Sequence, residues 1–170
     1  MDHSQKKTTS LGYIFPFLLM LLCYKEVQCH LNQKKVLVTG GPGYIVSHCI
    51  LELLNAGNQV ITIDNLSNSQ SGALKRVEEI TGKSIIFYKT DLLDGESLNK
   101  IFAKHKIDCV IHFAGIKSVG ESMQFPLIYY ENNVIGTINL VKAMQAHNVY
   151  QMVFSSSCTV YGDPEHLPIT

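Results

Sequence analysis

The sequence has little charge and no excess of either sign. Charged residues make up 16% of its 170 residues, and 14 Lys and Arg balance 14 Asp and Glu. Without a basic excess, the sequence offers nothing to neutralise the phosphate backbone of a nucleic acid. We therefore expect no nucleic-acid partner, and we favour a small-molecule site or a protein surface.

The sequence also has no paired cysteines. Its 5 cysteines form no C-x-x-C motif, and the histidines lack companions at the spacing of zinc ligands. We therefore expect no metal site. An odd number of cysteines spread through apolar runs is typical of free thiols, which favours a reducing compartment. This predicts a cytoplasmic protein.

A long apolar run is absent as well. The longest candidate, residues 11–23, is shorter than the roughly 20 residues that span a membrane, so we expect no membrane-spanning segment. Lys6 and Lys7 precede this run and a polar exit follows it, as in a signal peptide. Residues 1–33 are therefore either a signal-like or anchoring extension, which would place the protein in the secretory pathway, or an extension without a targeting role.

From residue 34 onward, apolar runs suited to buried strands alternate with helical patterns. Strands are predicted at residues 35–39, 60–64, 85–88, 109–113 and 152–155. Helical patterns end near Gly57 and Gly82, Asp94 is placed to cap the next helix, and a longer helix starts at Pro126. Strict alternation predicts an α/β fold with a doubly wound parallel sheet, a partial Rossmann-type domain over residues 34–170.

A glycine turn follows the first predicted strand directly. Gly40 and Gly43 occupy the first two positions of a dinucleotide-binding fingerprint, and Val46 occupies the third. In such a turn the glycines let the backbone approach a pyrophosphate at a helix N-terminus. Because the third glycine normally allows close helix–strand packing, we expect Val46 to weaken NAD binding.

The other predicted strands end in groups that suit the remaining parts of a dinucleotide. Asp64 is placed to bind ribose hydroxyls, which favours NAD over NADP. Asp91 and Leu92 suit an adenine, and further small or polar residues follow the last two strands: Phe113, Ala114, Gly115, Ile116, Lys117, Ser157, Cys158 and Thr159. Each group also has a simpler interpretation as a turn cap, a solvated side chain or an ordinary loop residue. Their coincidence at successive strand ends favours a cofactor site.

Four segments resemble the extended short-chain dehydrogenase/reductase superfamily, and within it the enzymes that epimerise nucleotide sugars. They are TGGPGYIVSH at residues 39–48, HFAGIKSVGES at 112–122, YYENNVIGT at 129–137 and FSSSCTVYG at 154–162. The resemblance implies bound NAD and the interconversion of UDP-glucose and UDP-galactose through a transient 4-keto sugar, in galactose metabolism. It also implies a homodimer formed through the family's helices.

The resemblance assigns roles to individual residues. Ser157 would bond the sugar hydroxyl that is oxidised, with Cys158 and Thr159 beside it on the substrate. The implied cofactor contacts are Gly40, Gly43, Tyr44, Ile45, Asp64, Asn65, Leu66, Ser67, Asn68, Asp91, Leu92, Phe113, Ala114, Gly115, Ile116, Lys117 and Asn132.

One element of the family pattern is missing. The family's base is the Tyr of a Tyr-x-x-x-Lys pair, and none of the 8 tyrosines has a lysine four residues later. We therefore expect a chain that stops before the sugar-binding lobe and is inactive alone. A non-catalytic NAD-binding remnant or interaction fragment stays open as an alternative, as does a related nucleotide-sugar dehydratase or reductase.

Overall fold

The computed structural model describes residues 34–163 and 165–168. The signal-like segment at residues 11–23 lies outside the described residues. In the part that is described, no helix is long and apolar enough to cross a membrane.

Five parallel strands form one sheet in the order β3-β2-β1-β4-β5. The strands are β1 (Lys35–Thr39), β2 (Gln59–Asp64), β3 (Ile86–Lys89), β4 (Cys109–His112) and β5 (Met152–Phe154). Because all the strands run in the same direction, their carboxyl ends share one edge, where ligands bind in such folds. The predicted doubly wound parallel α/β architecture is confirmed.

The connections between the strands are helical. The helices are α1 (Tyr44–Asn55), α2 (Gly72–Thr81), α3 (Gly95–Lys104), α4 (Val119–Gln124), α5 (Pro126–Tyr129) and α6 (Gly136–Ala146). A π-helical turn, Tyr130–Ile135, joins α5 to α6, and a 3₁₀ turn, Cys158–Tyr161, follows β5. The Asp94 carboxylate caps α3 as predicted, accepting the Ser97 N–H at 3.0 Å, and Gly82 ends α2 with a left-handed φ of 65°.

Side chains on the two faces of the sheet pack against different helices. Leu37, Ile61 and Val110 point into a buried cluster with residues of α3 and α6. Their strand neighbours Val36 and Val60 are also buried and point to the opposite face, since side chains alternate along a strand. The central strands are thus covered on both sides, as a parallel sheet requires.

The sequence predicts one long helix from Pro126, whereas the structure has two helices joined by the π-helical turn. Of the apolar residues that the helical spacing assigns to it, Leu140 and Met144 are buried, whereas Leu127, Tyr130, Val134 and Val141 are exposed. A π turn contains more residues than an α turn, so a single 3.6-residue pattern cannot describe both sides of it. The short helix α4 was not predicted. On α2, Leu74, Val77 and Ile80 stand at the helical spacing of an apolar face, but Ile80 is 70% exposed.

Candidate functional site

A cavity of about 390 Å³ opens at the carboxyl ends of the strands. All of the residues predicted to contact a cofactor, with the exception of Leu66, line this one cavity. They are Gly40, Gly43, Tyr44, Ile45, Asp64, Asn65, Ser67, Asn68, Asp91, Leu92, Phe113, Ala114, Gly115, Ile116, Lys117 and Asn132. Residues separated by most of the chain therefore form one continuous wall.

The glycine turn lines this cavity beside the start of α1. Gly40 has a φ of 79°, a conformation that favours glycine, and its carbonyl accepts the Gly43 N–H at 3.0 Å. Gly43 is the N-cap of α1, and no side chain caps this helix. The N-terminus of α1 is consequently open to a negatively charged group, as at other helix N-termini that bind phosphates.

Val46 and Gly41 differ in how closely their surroundings approach them. Val46, in the first turn of α1, is only 6% exposed, and its Cγ2 would lie at an ordinary van der Waals distance, 3.5 Å, from a Cβ placed on Gly43. A Cβ on Gly41 would lie 2.0 Å from the Oγ1 atom of Thr62. The sequence pattern did not single out Gly41, because this glycine is not part of the fingerprint spacing.

Hydrogen bonds organise the loops after β2 and β3. The Asp64 Oδ1 atom accepts the Leu66 N–H at 2.6 Å and the Ser69 hydroxyl at 2.9 Å, and the Asn65 amide donates to Asp91 Oδ2 at 2.8 Å. Leu66 has a φ of 61° and contributes to this wall through the shape of the loop, not by lining the cavity. Both of these hydrogen bonds to Asp64 use its Oδ1 atom, and Asp64 lines the cavity, where its carboxylate can accept hydroxyl groups of a ligand.

The loop after β4, residues 113–117, is held at both ends. The Thr39 Oγ1 atom accepts the N–H groups of Phe113 and Ala114 at 3.1 and 3.0 Å. The Asn133 side chain, from the π-helical turn, accepts the Ile116 N–H at 3.0 Å and donates to the Ile116 carbonyl at 2.9 Å. Main-chain atoms of this loop are therefore fixed by side chains of two distant elements.

His112 lies between Thr39 and the π-helical turn that carries Asn133. Its Nδ1 atom is 2.7 Å from Thr39 Oγ1, and its Nε2 atom is 2.9 Å from Thr137 Oγ1. The side chain is 2% exposed. Burial, helped by the positive charge of Lys117, lowers the pKa of His112 to about 4, so the imidazole is neutral at pH 7.

A second cavity, of about 560 Å³, adjoins the first and shares with it Ser155 and residues 114–117. Ser157 lines this second cavity. The Tyr129 hydroxyl, also in its wall, accepts the Ser118 N–H at 3.1 Å and donates to Glu121 Oε2 at 2.6 Å. The side chains of Cys158 and Thr159 lie outside the described residues, so their predicted contacts stay predictions.

Sequence reasoning missed several residues of the site. Ile63, Ser69 and Thr90 line the first cavity but belong to no motif, and Ser155, from the segment at residues 154–162, lines it with them. Thr39 and His112 are opposed in the register of β1 and β4. Each is a polar residue at the end of an apolar strand, and this signal could have identified them. Within the described residues, no cluster of three or more His, Cys, Asp or Glu could hold a metal ion.

Residues 36–170 match the NAD dependent epimerase/dehydratase family, and the chain belongs to this family. Its relatives include the UDP-glucose 4-epimerase of Bacillus subtilis, 57% identical over 135 residues, which cover 79% of this chain and 40% of that protein. The UDP-glucose 4-epimerase of Drosophila melanogaster is 55% identical over 141 residues, with 79% of this chain and 40% of that protein covered.

Solved structures of such epimerases share the fold. The UDP-glucose 4-epimerase of Bifidobacterium longum, in complex with NAD+ and UDP, superposes with a TM-score of 0.78 at 53% identity. The match covers 80% of this chain and 41% of that one. The chain thus spans about 40% of the length of the curated relatives it matches.

Proposed function

We propose that this chain is the NAD-binding part of a UDP-glucose 4-epimerase, the enzyme that interconverts UDP-glucose and UDP-galactose. The observation that carries the proposal is the convergence of the glycine turn, Asp64 and the loop 113–117 on one cavity. It is supported by the identity of 55–57% to proteins that carry this name.

The residues of the first cavity suit the parts of NAD. The uncapped start of α1, at Gly43 and Tyr44, would hold the pyrophosphate, since main-chain N–H groups and the helix dipole favour an anion there. Asp64 would accept the adenosine ribose hydroxyls, while Asp91 and Leu92 would flank the adenine. When bound, NAD supplies the oxidant that takes a hydride from sugar C4 and returns it.

The second cavity suits the sugar of the substrate. Ser157 lines it, and we propose that Ser157 bonds the hydroxyl on C4, with Cys158 and Thr159 near the same group. Because residues 114–117 line both cavities, a sugar in the second would lie beside a nicotinamide in the first. Epimerisation requires this contact between the two.

A proton acceptor for the C4 hydroxyl is the missing part. Acid–base catalysis typically contributes about 10²–10⁴-fold to rate, and no tyrosine of this chain has the paired lysine. We therefore propose that the chain binds NAD without epimerising UDP-galactose.

Calorimetric titration with NAD and NADP tests the cofactor assignment. The wild-type chain should bind NAD more tightly than NADP, because the Asp64 carboxylate repels a 2′-phosphate. Asp64→Asn should weaken NAD binding about tenfold, as expected for loss of a charged acceptor. Asp108→Asn is the matched control: Asp108 accepts the Lys35 N–H at 2.8 Å at the start of β1, the opposite edge of the sheet. No NAD binding by the wild-type chain would reject the assignment.

Epimerase assays test the rest of the proposal. Conversion of UDP-galactose by the purified 170-residue chain would show that the missing pair is dispensable. Full activity after extension of the chain with the remaining length of a relative, combined with loss of that activity in Ser157→Ala, would support the role of Ser157. Activity that persists in Ser157→Ala would argue against it.

We also propose that the protein forms a homodimer through the region of α4 to α6. The support is an exposed apolar surface in this region, made of Met123, Phe125, Leu127, Ile128, Tyr130, Val134, Ile138 and Val141. Sedimentation velocity should show dimers that Leu127→Glu dissociates. Ile80→Glu, at an exposed apolar position on α2, is the control that should leave the dimer intact.

We propose a cytoplasmic location because Asn65, a possible glycosylation site, is hydrogen-bonded in the cavity wall. This residue begins the only N-x-S/T sequon placed in the cavity wall, and its amide nitrogen is engaged with Asp91 at 2.8 Å. A glycan on that nitrogen would replace one of its two protons and occupy the cavity. Protein from eukaryotic cells should show no mass shift on treatment with an N-glycosidase, and a shift would contradict the proposal.

A further inference from the structure

Three polar side chains link the end of β1 to the main chain of the π-helical turn through buried and partly buried hydrogen bonds. Thr39 contacts His112, His112 contacts Thr137, and the Thr137 hydroxyl donates to the Asn133 carbonyl at 2.6 Å. We call this the Thr39–Asn133 chain. It runs from Thr39, whose side chain holds one end of the loop 113–117, to the main chain of Asn133, whose side chain holds the other end.

Only one assignment of the protons satisfies all the hydrogen bonds of this chain. Thr39 Oγ1 already accepts two N–H groups, from Phe113 and Ala114, and a hydroxyl has two lone pairs and one proton. Its proton must therefore be donated to His112 Nδ1. When Nδ1 of a neutral imidazole accepts a hydrogen bond, the ring proton is at Nε2. The His112 Nε2–H group then donates to the Thr137 hydroxyl, and the Thr137 hydroxyl donates to the main-chain carbonyl of Asn133.

We propose that His112 is a positioning residue for the cofactor site: as the neutral Nε2–H tautomer, it sets the direction of the Thr39–Asn133 chain and thereby fixes the loop 113–117. The loop lines both cavities, so its main-chain path determines the shape of the wall between them. The other tautomer would present three donors to the two lone pairs of Thr39 Oγ1, so that the N–H group of Phe113 or Ala114 would lose its acceptor. This inference rests on the proposed function only for its effect on NAD.

Nitrogen-15 NMR of the 170-residue chain tests the tautomer directly, without any substitution. His112 should show the Nε2–H signature at pH near neutral, and the amides of Phe113, Ala114 and Ile116 should be protected from hydrogen exchange. An Nδ1–H signature, or a protonated ring, would overturn the proposal.

Variants test the positioning role. Thr39→Val keeps the shape but removes the hydroxyl, and His112→Phe keeps a ring without nitrogen. Each should speed exchange at Phe113 and Ala114 and raise the NAD dissociation constant about tenfold, because buried partners lose their bonds. Thr39→Ser, which restores the hydroxyl, should rescue both properties.

Asn58→Ala is the control for general destabilisation. Asn58 is buried, accepts the Lys34 N–H at 3.2 Å and donates to the Leu53 carbonyl at 3.2 Å, but it lies at the start of β2, away from the cavities. This variant should lower the midpoint of denaturation without changing exchange at Phe113. Equal exchange and equal NAD binding in the wild type and Thr39→Val would refute the positioning role.

The outcomes separate the two proposals. If the wild-type chain binds no NAD, but shows the Nε2–H signature and Thr39→Val exposes the loop amides, the cofactor assignment fails while the positioning role stands. If it binds NAD and Thr39→Val binds NAD equally well, the positioning role fails alone.

Discussion

Val46 replaces a glycine at the position of the fingerprint where α1 passes closest to the turn. Its side chain is buried beside Gly43, which faces the cavity. Overpacking typically costs about 1–3 kcal/mol, so we expect Val46→Gly to tighten NAD binding about tenfold. Calorimetric titration measures this effect.

The same substitution should lower stability. Glycine in a helix costs about 1 kcal/mol relative to alanine, and loss of a buried valine side chain costs about 1.5–3 kcal/mol. Val46→Ala is the control that separates the two effects, since it relieves most of the crowding and keeps helix propensity. Identical NAD affinity in the wild type, Val46→Ala and Val46→Gly would show that the valine does not hinder the cofactor.

Gly41 is required by a neighbouring side chain rather than by a ligand. A Cβ there would lie 2.0 Å from Thr62 Oγ1, and this hydroxyl is held by donation to the Val38 carbonyl at 2.8 Å. Gly41→Ala should therefore destabilise the fold by about 1–3 kcal/mol in urea unfolding. Gly72→Ala, where a Cβ would meet no atom within 4 Å, should be neutral or stabilising. Equal stability of the two variants would contradict this reasoning.

At the scale of elements, α3 depends on its N-terminal cap. Asp94 accepts hydrogen bonds from the Ser97 N–H and hydroxyl at 3.0 and 2.6 Å, and these bonds lower its pKa. Asp94→Ala should lower the melting temperature by a few degrees, whereas Asp94→Asn should retain most of the stability.

The pH dependence of this cap has a definite sign. Because the folded-state pKa of Asp94 lies below its unfolded value, the stabilisation is present above the unfolded pKa and is lost as the pH falls through the folded one. Melting curves of the wild type and Asp94→Ala should therefore converge in acid. A constant difference at all pH values would exclude the carboxylate as the source.

Elements with a strong local signal could be predicted from the sequence, and elements set by packing could not. The strand at residues 35–39 is bounded by Lys34 and a glycine turn, and its predicted limits are those of β1. The helix α4 has no such signal, because its VGESMQ sequence contains a glycine and few apolar residues. The π-helical turn depends on how Asn133 bonds to Ile116, a contact that no spacing in the sequence indicates.

The candidate site follows the same division. Strand-end logic brought Asp64, Asp91 and Lys117 together correctly, because parallel strands place their carboxyl ends at one edge. It did not predict the hydrogen bonds of the Thr39–Asn133 chain. Thr39 and His112 are polar residues at strand ends, but no spacing in the sequence indicates that they are opposed in the register of β1 and β4.

At the scale of the whole molecule, His112 makes global stability depend on pH. An exposed histidine in the unfolded chain titrates near pH 6.5, whereas His112 in the folded protein has a pKa of about 4. As the pH falls between these values, the unfolded state binds the proton first, and stability decreases. The full loss is about 3 kcal/mol.

Urea unfolding over this pH range provides the measurement. The midpoint should fall as the pH decreases from about 6.5 toward about 4, and the His112 ring signals in NMR should not titrate until the lower value. A His112 resonance that titrates near pH 6.5 in the folded protein would contradict the burial of this group.

The hydrogen bonds that hold the loop 113–117 can form only in a certain order while the chain is being synthesised. Thr39 and His112 are 73 residues apart, and His112 must in turn meet Thr137, a further 25 residues along. A nascent chain emerging from the ribosome therefore has β1 to β4 available before the loop can be locked. The proposed cofactor site is complete only after α6 has been translated and has packed against the sheet. NAD would bind only chains that have folded this far and would stabilise them, since a ligand stabilises the state that contains its site.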